Sequence, residues 1–143
     1  MMQINEINST NELLKVTNVM SALRPQLNEG NIETIIGGMM ERGYRLIYFV
    51  EGNDVKAALG FRFAEHLHWG KSIYIDDLST LPGERKKGYA RKLLDHVMAI
   101  AKEAHCNELH LDSGCNPQRY DAHRMYLLYG FNMTSHHFAM KVV

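Results

Sequence analysis

Seven consecutive residues, Arg85-Lys86-Lys87-Gly88-Tyr89-Ala90-Arg91, set basic side chains around a glycine where the hydropathy pattern turns from strand to helix. That combination suits an anion. The first N–H groups of a helix have no partner inside it, and the macrodipole adds partial positive charge at the same point. Gly88 lets the backbone approach a ligand or adopt a conformation that a side chain forbids. Arg85, Lys86, Lys87 and Arg91 add formal charge, so the implied chemistry is a phosphate or pyrophosphate cradle. The stretch is not a P-loop, because no Gly-Lys-Ser/Thr closes a Gly-x-x-x-x spacing. Nor is it a dinucleotide fingerprint, which needs further glycines and an acidic residue after a second strand. A solvated basic turn capping an ordinary helix is the alternative.

Other groups able to do chemistry are Asp76 and Asp77, adjacent on the strand before this turn. Strict alternation along a strand sends them to opposite faces of the sheet. The histidines, among them His66, His68, His110, His123, His136 and His137, are scattered in pairs. They lack the convergent ligand spacing that zinc requires, so no metal is expected. Cys106 and Cys115 form no CxxC motif and read as reduced thiols of a cytoplasmic protein.

These residues must be positioned by the elements around them. Gln3–Ile7 reads as an edge strand. A helix follows from the capping residues Asn8-Ser9-Thr10-Asn11-Glu12, with Leu13, Leu14, Val16, Val19, Met20 and Leu23 as its apolar stripe, and ends at Pro25. A shorter helix starts near Asn31 and stops at Gly43. Two strands, Tyr44–Glu51 and Val55–Glu65, flank the hairpin signal Gly52-Asn53-Asp54. The strand Ser72–Thr80 feeds the basic turn, and a helix from Gly88 to about His105 has Ala90, Leu93, Leu94, Val97, Met98, Ala101 and Ala104 at helical spacing. A strand over Glu108–Ser113, a helix from about Arg119 to Tyr129 and a closing strand over Phe131–Val143 complete the order β-α-α-β-β-β-α-β-α-β. The fold class is α/β (α+β): a mixed, largely antiparallel central sheet with helices on both faces.

At 143 residues and 45% hydrophobic content the chain reads as one domain, 1–143, with a sizeable core. Sixteen basic residues balance sixteen acidic ones, so no global field draws it to nucleic acid, and any basic site is local. No apolar run approaches the roughly 18 residues of a membrane span, and the N-terminus lacks a signal-peptide pattern.

Two local motifs, in this element order, resemble the GNAT superfamily of acetyl-CoA-dependent N-acetyltransferases. One is Arg/Gln-x-x-Gly-x-Gly/Ala, matched by Arg85-x-x-Gly88-x-Ala90. The other is Ala-x-x-(apolar)-Tyr-x-x-x-Gly-Phe, matched by Ala122, Met125, Tyr126, Gly130 and Phe131. The resemblance implies that the Arg85–Arg91 loop, with Lys86, Lys87, Gly88, Tyr89 and Ala90, holds the pyrophosphate of coenzyme A. It implies that the backbone of Leu78, Ser79 and Thr80 pairs with the pantetheine arm like an added strand. An N–H near Leu78 would polarise the thioester carbonyl.

The resemblance also makes Tyr126 the acid, its hydroxyl hydrogen-bonded to the departing sulfur so as to stabilise or protonate it; the reference pKa values are near 8.5 for a thiol and near 10 for tyrosine. Tyr129, on the same face, reads as a core residue. Asp77 is the expected base, with Asp76 and Asp112 as other candidates. Arg119 stands where many relatives carry an Asn that touches the cofactor, and is expected to replace it. One of His136 and His137 would border the acceptor. The implied activity is direct acetyl transfer to a primary amine of a small molecule or peptide by a homodimeric enzyme. A non-catalytic acyl-CoA sensor with the same fold is the alternative.

Overall fold

A β-branched and aromatic run, Arg45–Glu51, lies at the heart of the sheet because both of its faces are apolar and both of its edges are paired. In the computed structural model, which describes residues 2–143, five strands form one sheet in the order β1-β2-β3-β4-β5. They are β1 (Met2–Glu6), β2 (Arg45–Glu51), β3 (Asp54–His66), β4 (Gly70–Thr80) and β5 (Glu108–Leu111). The pairs β1–β2, β2–β3 and β3–β4 are antiparallel. Gly52 and Asn53 alone make the β2–β3 turn, with Glu51 opposite Asp54 and Gly52 at φ +64°.

Four helices accompany the sheet among the described residues: α1 (Thr17–Leu23), α2 (Ile32–Glu41), α3 (Tyr89–Glu103) and α4 (Tyr120–Tyr129). The first expected helix is divided. Thr10–Val16 winds as a 3₁₀ segment before α1 begins. Its start carries the predicted cap, for Glu12 accepts the backbone N–H groups of Asn8 and Ser9, each at 3.1 Å.

Packing divides the chain into two compact units, one running to His110 and one from Leu111 to Val143. In the first, Leu13, Val16, Val19, Met20, Ile32 and Ile36 pack with Leu46, Tyr48 and Ala58 on one face of the sheet. The residues between them in β2, Ile47 and Phe49, turn to the opposite face, where the Tyr89 ring of α3 packs against Phe49, tilted by 35° with 4.7 Å between ring centres. Leu93, Leu94 and Val97 of the same helix are fully buried. Helices therefore cover both faces of this sheet, as the alternation of two apolar faces requires.

In the second unit, α4 ends in a defined stop. The N–H of Phe131 donates to the carbonyl of Tyr126 at 3.0 Å, and that of Gly130 to Leu127 at 3.2 Å, the bond pair of a Schellman motif. The Phe131 ring then closes edge-on against Tyr126, with centroids 5.9 Å apart. Beyond Phe131 the expected closing strand does not form, and residues 132–143 carry no regular secondary structure. Met133, Phe138 and Met140 are about nine-tenths exposed. Alternating apolar residues supply the propensity for a strand, but a strand exists only through its ladder partner, which local sequence cannot provide.

Candidate active site

The end of β4 and the start of α3 place the basic turn. Leu81 N–H donates to Lys56 O at 3.0 Å, which fixes the chain as it leaves the sheet, and Pro82–Glu84 makes one 3₁₀ turn. Lys86 (φ +65°) and Gly88 (φ +85°) both adopt left-handed conformations, two residues apart. Such reversals swing successive N–H groups toward one side of the backbone and form an anion-binding concavity. Gly88 is the N-cap of α3, and the first bond of that helix runs from Lys92 N–H to Gly88 O at 3.1 Å. The amides of Tyr89 and Ala90 precede it and have no acceptor within the helix. No atom lies within 4 Å of where a Cβ at Gly88 would stand, so the space over the turn is open. The turn expected from the sequence therefore joins β4 to α3, with Gly88 as the helix cap.

Its side chains divide into two groups. Arg85, Lys86 and Arg91 reach the surface. Lys87 is committed to Glu84, with Nζ to Oε2 at 2.7 Å, and Lys56 holds the other oxygen at 3.0 Å. These two ammonium groups, Lys87's first, keep the Glu84 carboxyl below its ordinary pKa. Tyr89 turns inward, its hydroxyl donating to Glu51 at 3.0 Å. Leu78 and Thr80 are half-buried, while the Ser79 hydroxyl donates to Val19 O at 2.7 Å and ties β4 to α1.

The aspartates depart from simple alternation. Gly60 pairs with Asp77 and Phe61 with Ile75, so the register skips Asp76 in a bulge. A bulge resets the pleat, and both carboxylates join one network rather than facing opposite sides. Arg62 forks onto Asp76, with Nη2 to Oδ2 at 2.7 Å and Nε to the same oxygen at 3.0 Å. Arg24, just past α1, gives Nε to Asp77 Oδ1 at 2.8 Å and Nη2 to the Asp76 carbonyl at 3.2 Å. The Tyr44 hydroxyl donates to Asp77 Oδ2 at 2.7 Å. The Arg62 guanidinium lies 5.6 Å from the Tyr44 ring centre, which closes the circuit.

Burial first, and then the Asp77 charge, raise the Tyr44 pKa well above its ordinary value, so this hydroxyl stays a donor. The ring crosses Gly60, where a Cβ would fall inside the phenol. Sequence reading placed Tyr44 only as the start of a strand and attached no meaning to Gly60. No local signal marks a tyrosine that meets a glycine on the neighbouring strand.

In the second unit, Tyr126 is buried, and that burial raises its pKa, with the nearby Arg119 charge pulling the other way. Arg119 also reaches Ser113 Oγ at 3.4 Å. His123 Nε2 lies 2.8 Å from Gly114 O, and His137 Nδ1 lies 3.6 Å from Asp112. His136 lies in the exposed tail, as does His137. Among the described residues no group of three or more His, Cys, Asp or Glu side chains is placed to hold a metal ion. No helix there is long and apolar enough to cross a membrane.

Residues 18–131 match the Acetyltransferase (GNAT) family. The chain belongs to that family. This GNAT chain is an acyltransferase, 31% identical over 144 residues to YhdJ, an uncharacterised N-acetyltransferase of Bacillus subtilis strain 168; the match covers 99% of the chain and 100% of YhdJ. Its fold superposes on a GNAT family acetyltransferase of Staphylococcus aureus USA300_TCH1516 with a TM-score of 0.80 at 18% identity, over 99% and 98% of the two chains. It also superposes on the aminoglycoside N-acetyltransferase AAC(6')-Iy, solved in complex with CoA, with a TM-score of 0.83 at 13% identity, over 99% and 95%. For the GNAT chain the Tyr-x-x-x-Gly-Phe motif now has a physical meaning: it is the stop of α4, written as the two Schellman bonds and the aromatic lid on Tyr126.

Proposed function

We propose that this acyltransferase moves the acetyl group of acetyl-CoA directly to a primary amine of a small molecule or peptide. The observation that carries the reading is the turn before α3, where Lys86 and Gly88 are left-handed, the space beside Gly88 is open and the helix-start amides have no acceptor within the helix. Acetyl-CoA brings an acetyl group activated as a thioester. The turn from Arg85 to Arg91 is assigned the pyrophosphate, the backbone of Leu78, Ser79 and Thr80 the pantetheine arm, and the Leu78 amide the carbonyl oxygen. Arg119 is assigned a further cofactor contact.

Asp77 takes the ammonium proton of the acceptor. Its two oxygens are held by Arg24 and Tyr44, so an incoming ammonium replaces the Arg24 bond. The amine then attacks, the new C–N bond forms as the C–S bond breaks, Tyr126 gives its proton to the leaving sulfur, and the proton shed by the new amide nitrogen restores the tyrosine. Burial raises the Tyr126 pKa, so the hydroxyl stays protonated and can donate a hydrogen bond to the sulfur. The enzyme is read as cytoplasmic, in keeping with free Cys106 and Cys115, and as a homodimer by family resemblance.

Calorimetry with acetyl-CoA tests the reading, comparing the native chain with Gly88→Glu. Clear binding that the variant abolishes supports the cradle, and thiol release in an amine screen completes the case. No binding by the native chain overturns it.

A further inference from the structure

The Asp76–Asp77 network holds as many fixed positive as negative charges: two guanidiniums and two carboxylates. Asp77 is one residue before Leu78, so on the reading just given the network borders the amine being acetylated. Arg24 uses Nε and Nη2, Arg62 uses the same two nitrogens, and Nη1 of each has no hydrogen-bond partner among the described residues. Both guanidiniums meet at Asp76, Arg24 on its carbonyl and Arg62 on its carboxylate, which sets the two side chains beside one residue. Side-chain exposures of 44% for Arg24 and 33% for Arg62 leave them reachable from solvent.

We propose that this network selects an acceptor carrying a carboxylate beside its amine, a small zwitterionic amino acid. Its ammonium goes to Asp77 and its carboxylate to the open faces of Arg24 and Arg62. Guanidinium suits this task, since its planar fork matches a carboxylate and stays charged at any working pH. A polycation such as an aminoglycoside fits poorly. Beyond the one ammonium that Asp77 takes, its further ammonium groups would meet the guanidiniums of Arg24 and Arg62 and an Asp76 already forked by Arg62.

The test rests on the proposed acetyl-transfer reading and separates the two. Acetyl-CoA-dependent thiol release is measured with the standard α-amino acids, with the corresponding α-amino amides, and with an aminoglycoside. The amino acid that reacts best is expected to exceed its amide by about tenfold or more in kcat/KM, the worth of hydrogen bonds to a charged group. In Arg62→Gln and Arg24→Gln that ratio falls toward one, mainly through KM for the acid, while Arg24→Lys restores part of it. If acetyl-CoA binds and amides or aminoglycosides react as well as the acids, or the ratio survives both glutamine variants, this proposal fails and acetyl transfer stands. If acetyl-CoA does not bind, the proposed function fails first. Should turnover be absent with every amine, calorimetry on the acetyl-CoA-loaded protein decides: binding of acid over amide supports the proposal, and equal or no binding overturns it.

Discussion

Tyr44 lies across Gly60, its hydroxyl carried over the neighbouring strand to Asp77 at 2.7 Å. A strand position that pairs with an aspartate is thereby left without a side chain so that an aromatic ring can reach that aspartate.

Gly60→Ala is expected to destabilise the fold by about 1–3 kcal/mol, because the new methyl group occupies the ring's place and Tyr44 must rotate away. Urea unfolding measures it. A loss within a few tenths of a kcal/mol would show that the ring has somewhere else to go.

Tyr44 also sets a pH dependence. In the unfolded chain it ionises near pH 10, whereas burial and the Asp77 charge keep it protonated to higher pH in the fold. Below pH 10 both states hold the proton and stability is flat in this group. Above it the unfolded state has released a proton that the fold retains, so stability falls as pH rises, by at most about 1.4 kcal/mol per pH unit. Tyr44→Phe is expected to be less stable at pH 7 by about 1.5–3 kcal/mol, the cost of taking a donor from a half-buried carboxylate. Its stability curve above pH 10 should be shallower than that of the native chain. Parallel curves would place the alkaline loss elsewhere.

At Gly88 two substitutions separate backbone from charge. Alanine at φ +85° costs about 1–2 kcal/mol in strain, with its methyl pointing into open space. Acetyl-CoA affinity should fall for alanine and vanish for glutamate, read by calorimetry at a temperature where both variants remain folded. Equal affinities in all three proteins would remove the phosphates from this turn.

Tyr126→Phe keeps the ring that Phe131 covers and removes only the proton. Turnover is expected to drop about 10²-fold or more, with acetyl-CoA binding retained, as for loss of a general acid. Retained kcat would make Tyr126 a packing residue and return the acid role to another group or to water.

Much of this arrangement was legible in the chain itself. Hydropathy periods located the helices around Leu93 and Tyr126 and the strands around Phe49 and Ile75 to within a few residues, because burial of one face imposes a period on the sequence. The basic turn was legible for the same reason: glycine and helix-start chemistry are local, and Gly88 occupies the left-handed position that such a turn requires.

What the sequence could not contain is pairing. The bulge at Asp76, which brings two neighbouring carboxylates into one network, is a relation between β3 and β4. Tyr44 on Gly60 and Arg24 on Asp77 join residues far apart in the chain. The tail beyond Phe131 makes the same point in reverse, since its alternating apolar residues have the pattern of a strand and no ladder. Local propensity fixes which conformation a segment prefers; only tertiary contact decides which neighbour completes it, and a hydrogen bond needs both.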